Sequence, residues 1–181
     1  MRMNLVKMGN PILRKKTRQI SSKQTKLKSF QKFLKNMVDT MRHAQGVGLA
    51  ANQVGSNQRV MVMECRGNKR YPRGNIFPLQ TYLNPRIIRY SRATATDWEG
   101  CLSIPGFRGK VKRSRKVTFA ARTPDGRLVR KTFRGFEARV IQHEVDHLNG
   151  FFYVDRMRNL KSLTHLDEFN QQHQTRILDR D

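Results

Sequence analysis

The stretch Gln142-His143-Glu144-Val145-Asp146-His147 decides how this chain is read. On an α-helix, residues four apart lie a turn apart on one face, so His143 and His147 can aim their imidazoles at a single metal ion. Glu144 then projects beside that ion, free to move protons. With five His among 181 residues, chance places such an H-E-x-x-H in roughly a few of every thousand chains of this composition. The bland alternative is an exposed helix that happens to carry two histidines.

The surroundings give the stretch a helical setting. Phe136, Val140, Ile141, Val145 and Leu148 supply an apolar face, Gly135 introduces the segment and Asn149-Gly150 closes it. Ahead of it, Lys110 to Phe133 alternates polar and apolar residues on either side of Thr123-Pro124-Asp125-Gly126, which predicts a hairpin. Further back, Leu27, Phe30, Phe33, Leu34, Met37, Val38 and Met41 recur at helical spacing, so an amphipathic helix is expected over Lys26 to Gln45. Ser22 or Thr25 is expected to cap it and Gly46 to end it. Arg59 to Cys65 reads as a buried strand and Arg66 to Leu79 as a surface loop. Tyr82-Leu83-Asn84-Pro85 and Ile87-Ile88 read as two short strand pieces, with Pro85 at an edge or turn. The tail from Asn159 to Asp181 is polar and suits a helix. His43, His165 and His173 fall outside any ligand pattern and read as surface or capping residues. The chain shows neither an internal repeat nor a low-complexity tract.

Length and composition narrow the class. A chain of 181 residues suits one domain with a real core. Two cysteines, Cys65 and Cys101, make no disulfide framework, and no apolar run suits a signal-peptide core or a membrane span. The expected setting is therefore the reducing cytoplasm, without membrane attachment. The 37 Lys+Arg against 13 Asp+Glu give a net charge of +24. A polyanion is the expected neighbour.

A hydrolytic metal site needs three protein ligands and one position open to water. The third ligand is either a carboxylate or a thiolate. Cys101, in Trp98-Glu99-Gly100-Cys101-Leu102-Ser103, is the thiolate candidate because it ends a strand between glycine-broken segments; the alternative is an inert buried thiol. In Gly46-Val47-Gly48-Leu49-Ala50-Ala51-Asn52-Gln53, the glycines would let another backbone approach, and the Gln53 amide could offer an N–H to a carbonyl oxygen. The competing reading is a helix-to-strand turn packed on the core.

Three blocks, Gly46 to Gln53, Glu99-Gly100-Cys101-Leu102-Ser103 and Gln142 to His147, together resemble the signature motifs of the peptide deformylase family in order and separation. Gly9-Asn10-Pro11-Ile12-Leu13-Arg14 extends the resemblance, which runs to about Asp155. It implies an α+β fold, with antiparallel or mixed sheets wrapped around a central metal-binding helix, an N-terminal amphipathic helix and a C-terminal one. One catalytic domain would span 1–181, with a core to about 155 and a polar extension over 156–181. Cys101, His143 and His147 would hold a divalent ion, Fe(2+) being the family's usual metal, with Zn(2+), Ni(2+) or Co(2+) able to replace it. The implied reaction removes the formyl group from the N-terminal formylmethionine of new polypeptides and releases formate.

The same resemblance assigns roles. Glu144 would accept a proton from water acidified by the ion and pass one to the leaving amine. The Gln53 amide and the Leu102 backbone N–H would stabilise the oxyanion. Val47, Gly48 and the segment from Ile104 through Gly106 to Phe107 would bind the peptide as an added strand. Val47, Phe136 and Val140 would build the methionine pocket, and Arg108 would reach a peptide carbonyl. Glu99 would pair with a buried arginine, Arg113. Lys112 stands where the family often has proline.

Two other readings compete. H-E-x-x-H alone also suits a metalloprotease cleaving internal peptide bonds, although an upstream cysteine as third ligand argues against that. The charge suits a nucleic-acid-binding module with a structural metal, although such a site would want a fourth ligand where the chain offers Glu144. Combining charge with chemistry predicts an enzyme held near ribosomal RNA; the alternative is a source that simply makes basic proteins.

Overall fold

A strand that is apolar on both faces needs cover on both sides, and Val60-Met61-Val62-Met63 receives it. Met61, Met63 and Cys65 enter one core while Val60 and Val62 enter another. The computed structural model describes the backbone of residues 1–67 and 76–178, with side chains as far as residue 172.

The elements in chain order are a single turn α1 (Ser22–Thr25), α2 (Lys28–His43), β1 (Gly48–Ala50), β2 (Val60–Cys65), β3 (Phe77–Tyr90), β4 (Thr94–Cys101), β5 (Ile104–Ser114), β6 (Lys116–Arg122), β7 (Leu128–Arg134), α3 (Gly135–Leu148), β8 (Thr164–His165) and α4 (Leu166–Leu178). One sheet runs in the order β1-β2-β3-β6-β7 and a smaller one in the order β4-β5-β8. Every strand pairing in both sheets is antiparallel, which resolves the expected choice between antiparallel and mixed sheets.

The layers follow from which faces are apolar. Phe30, Leu34, Met37, Val38 and Met41 of α2 pack on Leu49, Val60, Val62 and Leu83 from one side of the large sheet. Val140, Ile141, Val145 and Leu148 of α3 pack on Met61, Met63, Phe119 and Phe133 from the other. The small sheet closes the far side of α3, over a third core of Leu13, Cys101, Ile104, Val111, Phe152 and Tyr153. The histidine helix is thus central, with ten of its residues buried. Burying that much apolar area stabilises the fold by about 1.5–3 kcal/mol for each large side chain fully covered.

Several boundaries differ from expectation. α2 begins after Leu27 without a side-chain cap, so neither Ser22 nor Thr25 caps it as expected; both lie in α1, which Ser21 caps in a capping box with Gln24. Gln45, at φ 53°, takes the left-handed position that ends α2, and the Gly46 N–H closes back on the Met41 carbonyl at 2.9 Å. The expected loop over Arg66 to Leu79 gives way to β3 from Phe77, and its residues 68–75 lie outside the described residues. β3 runs through Pro85 as a central strand. The ladder shifts register between Leu83 and Arg86, so the missing proline N–H falls in a bulge. The expected hairpin is β6–β7 alone, since Lys110 to Ser114 belongs to β5 and pairs with β4. Lys112 sits in regular ladder opposite Thr96. Among the described residues, no helix is long and apolar enough to cross a membrane.

Candidate metal centre and active-site cleft

α3 presents His143 and His147 a turn apart, with their Nε2 atoms 3.2 Å from each other. The end of β4 brings Cys101 Sγ to 3.1 Å from His147 Nε2, and the three ligand atoms lie within 4.8 Å of one another. Cys101 and His147 are buried. A thiolate and two imidazole nitrogens converging on one point form the soft, mixed donor set that suits Fe(2+), Zn(2+) or similar ions, so the residues fit a divalent cation. The tight β4–β5 turn fixes the sulfur. Cys101 opposes Ile104, and the Ser103 N–H donates to Sγ at 3.3 Å. Burial raises the Cys101 thiol, but the adjacent imidazoles of His147 and His143 override it and hold the group well below its usual range.

Behind the ligands lies a buried ionic frame. Glu99 accepts from Arg113 Nε at 2.9 Å and Nη2 at 3.0 Å, and from Arg139 Nη1 at 2.8 Å. It also meets His143 Nδ1 at 3.0 Å. That contact directs the proton to Nδ1 and leaves the Nε2 lone pair for a cation. Burial alone would raise the Glu99 carboxyl. The His143 hydrogen bond and the Arg113 charge reverse this and hold it well below the usual carboxylate range. Arg113 also pairs with Asp146, which accepts from Arg156 Nη2 at 2.7 Å. The expected partnership of Glu99 with Arg113 is therefore present in the structure. Arg139, Asp146 and Gln142, which ties α3 to β5 through both backbone groups of Ser114, went unread in the sequence. Their signal was there: 139, 142, 143 and 146 form a polar stripe at helical spacing on a buried helix.

Glu144 faces the cleft from the same helix and is 4% exposed. Its Oε2 has no hydrogen-bond partner among the described residues, and burial pushes the carboxyl up to about 7 against the opposing pull of His143 and His147. Gln53 stands in the 3-10 turn that follows β1. Its Oε1 accepts the Ala50 N–H at 2.9 Å, which fixes the amide so that Nε2 points at Cys101 Sγ, 3.5 Å away, and Ser103 Oγ, 3.3 Å away.

A cleft of about 480 Å³, partly open to solvent, is lined by Val47, Gly48, Gln53, Cys101, Leu102, Phe136, Val140, His143 and Glu144, together with Gly46, Trp98, Glu99, Gly100 and Arg139. Of the sequence-predicted residues, Ile104, Gly106 and Arg108 stand outside that lining. Ile104 is buried in the third core, and the Arg108 guanidinium lies 5.0 Å from the Phe169 ring of α4. The β5 edge at Phe107 and Arg108 is already paired with His165 and Thr164 of β8. His165 thus has a strand position and a ring contact with Phe107, while His43 bonds Arg2 Nη1 at 3.1 Å; the His173 side chain lies outside the described residues.

The model of the polypeptide deformylase family matches residues 2–163. A peptide deformylase of Leptospira biflexa is 42% identical over 158 residues, covering 87% of this chain and 88% of that one. Peptide deformylase 1 of Nitrosomonas europaea is 36% identical over 163 residues, covering 90% and 92%. Among solved structures, the Met-Ala-Ser-bound class I type b peptide deformylase of Acinetobacter baumannii superposes with a TM-score of 0.84 at 36% identity, covering 87% of this chain and 99% of that one. The peptide deformylase of Thermotoga maritima gives 0.77 at 32%, covering 88% and 99%.

Proposed function

The chain belongs to the peptide deformylase family, metal-dependent hydrolases that remove the formyl group from the N-terminal methionine of nascent polypeptides, and from that premise we propose how its own residues share the work. Membership also displaces the internal-bond protease and the structural-metal module as readings of the whole chain.

Cys101, His143 and His147 are the metal ligands in this reading. The observation that carries it is their convergence within 4.8 Å beside a buried carboxylate that is not one of them. When bound, the cation supplies Lewis acidity toward the formyl oxygen and lowers the pKa of water in the cleft. Glu144 takes the proton that water loses as it adds to the formyl carbon, and returns a proton to the nitrogen as the C–N bond breaks, giving formate and a free amine. A carboxyl that burial holds near neutrality suits both directions of transfer. Gln53 Nε2 and the Leu102 N–H donate to the oxygen on which negative charge develops. Val47, Phe136 and Val140 take the methionine side chain, and the backbone at Gly48 accompanies the peptide. The β5 residues Ile104, Gly106 and Arg108 serve the peptide from outside the cleft lining, and Ile104, opposite Cys101, also supports the turn that carries the sulfur.

We take Fe(2+) as the working metal, with Zn(2+), Ni(2+) and Co(2+) acceptable to the same donors. The +24 charge supports contact with ribosomal RNA. Free Cys65 and Cys101, with a substrate made at the ribosome, support a cytoplasmic location. The test is anaerobic purification followed by metal analysis and a deformylation assay on formyl-Met-Ala-Ser with the same sample. One equivalent of metal with formate release is expected. Full turnover in metal-free protein would overturn the ligand assignment.

A further inference from the structure

α2 covers only part of the large sheet. The apolar cluster beneath it draws on β1, β2 and, from β3, Leu83; it takes nothing from β6 or β7. Among the described residues, that face of the sheet therefore continues past Leu83 as an open surface made by the second half of β3 with β6 and β7.

The surface is charged in one sense only. Register sets Arg86 beside Ala120 and Arg130 in one row, Arg89 beside Thr118 and Thr132 in the next, and Lys116 directly opposite Arg134 in the last. The Thr118 and Thr132 hydroxyls meet at 3.3 Å, as side chains on one face must. Arg86, Arg89, Lys116, Arg122, Arg130 and Arg134 are all exposed, and segments 86–90, 116–122 and 128–134 contain neither Asp nor Glu. Residues three apart fall on opposite faces of a regular strand, yet the register shift between Ile87 and Arg89 returns Arg89 to the face of Arg86. Lys116 opposite Arg134 is a like-charge pair, unfavourable unless an anion lies across it.

We propose that this open sheet face docks the phosphate backbone of double-helical RNA. The inference rests on the reading that charge brings the enzyme to the RNA of the translation apparatus, and it assigns the place of contact. Rows of guanidinium and hydroxyl groups match phosphate oxygens, which position without reading sequence. The rows carry no aromatic ring on which unpaired bases could stack, so single strands are the poorer ligand. The opposite face of the same strands packs Val117, Phe119 and Phe133 toward α3, so docked RNA leaves the cleft open to a nascent chain.

The test compares wild type with two triple variants of equal charge: Arg86→Gln/Lys116→Gln/Arg130→Gln on the sheet face, and Lys28→Gln/Lys32→Gln/Lys35→Gln on the exposed side of α2. Binding to a labelled RNA duplex of about 20 base pairs is followed by anisotropy between about 50 and 200 mM salt. The face variant should bind at least about tenfold more weakly at low salt, with a log–log salt slope smaller by about 3, and the α2 variant should stay within about twofold of wild type. Deformylation of formyl-Met-Ala-Ser should be equal in all three proteins. If the triple variant loses that activity, single Arg86→Gln and Arg130→Gln proteins carry the test, each lowering the slope by about 1. Equal weakening of both triple variants overturns the face while leaving charge-driven RNA binding in place. Absence of RNA binding by wild type at low salt overturns both. Phosphatidylserine vesicles or polyglutamate displacing RNA at equal charge concentration would instead identify a membrane or an acidic protein as the partner.

Discussion

Gly48 leaves the space that Glu144 fills: a Cβ at position 48 would stand 2.3 Å from Glu144 Oε1. β1 and α3 approach so closely that the carboxylate rests on bare backbone. A methyl group there must push the carboxylate aside, and a displacement of about 1 Å at a catalytic group costs on the order of 10²-fold in rate. Gly48→Ala is expected to lower kcat by about that factor while keeping its metal, since the three atoms nearest the added carbon all belong to Glu144 and none to a ligand. Steady-state deformylation beside metal analysis checks this, and a wild-type kcat would show that the close approach has no bearing on turnover.

Gln53 is locked by its own backbone neighbourhood, with Oε1 held by Ala50 N–H and only Nε2 left to act in the cleft. A donor directed at developing charge contributes to the transition state more than to ground-state binding. Gln53→Ala should therefore reduce kcat by about 10²–10³ with little change in KM. The reverse pattern, a raised KM at constant kcat, would mark Gln53 as a binding residue.

Glu99 acts through His143. Its carboxylate orients the ring from Nδ1 while Arg113 and Arg139 hold it in place. Replacing such a partner typically costs 10- to 100-fold in metal affinity. Glu99→Gln should show that loss in a competitive chelator titration. It should also lower the melting temperature, because the buried Arg139 loses its countercharge and Arg113 keeps Asp146 alone. Unchanged metal affinity would reduce Glu99 to a purely structural role.

Glu64 tests the acid limit of stability away from the metal. Hydrogen bonds from Arg42 at 2.7 and 3.0 Å and from Arg66 at 2.8 Å hold its carboxyl below the ordinary 4.5. A depressed carboxyl contributes stability that is full above its unfolded pKa and is lost as pH falls through the folded value. Thermal melts of wild type and Glu64→Gln should differ at neutral pH and converge as pH drops below about 4.5. A gap that widens in acid would contradict the assignment.

What the sequence made legible was local. Two histidines and a glutamate on one helix need only the 3.6-residue period, and Cys101 needs only its place at a strand end before a tight turn. What it concealed depends on contacts between distant segments. Pro85 reads as a break because a ladder needs its N–H, and only the bulge opposite β6 excuses it. Lys110 to Ser114 alternates like its neighbours, and nothing in the alternation says that it pairs with β4 in another sheet. Nothing near Arg108 in the sequence says that α4 brings Phe169 to 5.0 Å from its guanidinium.

Cys101 is the ligand on which metal choice turns. An anionic sulfur 3.1 Å from His147 Nε2 brings negative charge to the ion and softness that oxygen lacks. Cys101→Ser keeps the shape of the β4–β5 turn but replaces that thiolate with a hydroxyl that stays protonated near neutral pH. The variant should fold, lose its metal on dialysis against a weak chelator and release no formate. Wild type should lose activity in peroxide in proportion to oxidation of this sulfur, with bound metal protecting it. Should the serine variant hold one equivalent of Fe(2+) and turn over normally, the two imidazoles must find their third partner elsewhere in the cleft, where Glu144 is the acid that Arg113 and Arg139 do not already hold; Glu144→Gln would then release the metal as well as stop the reaction.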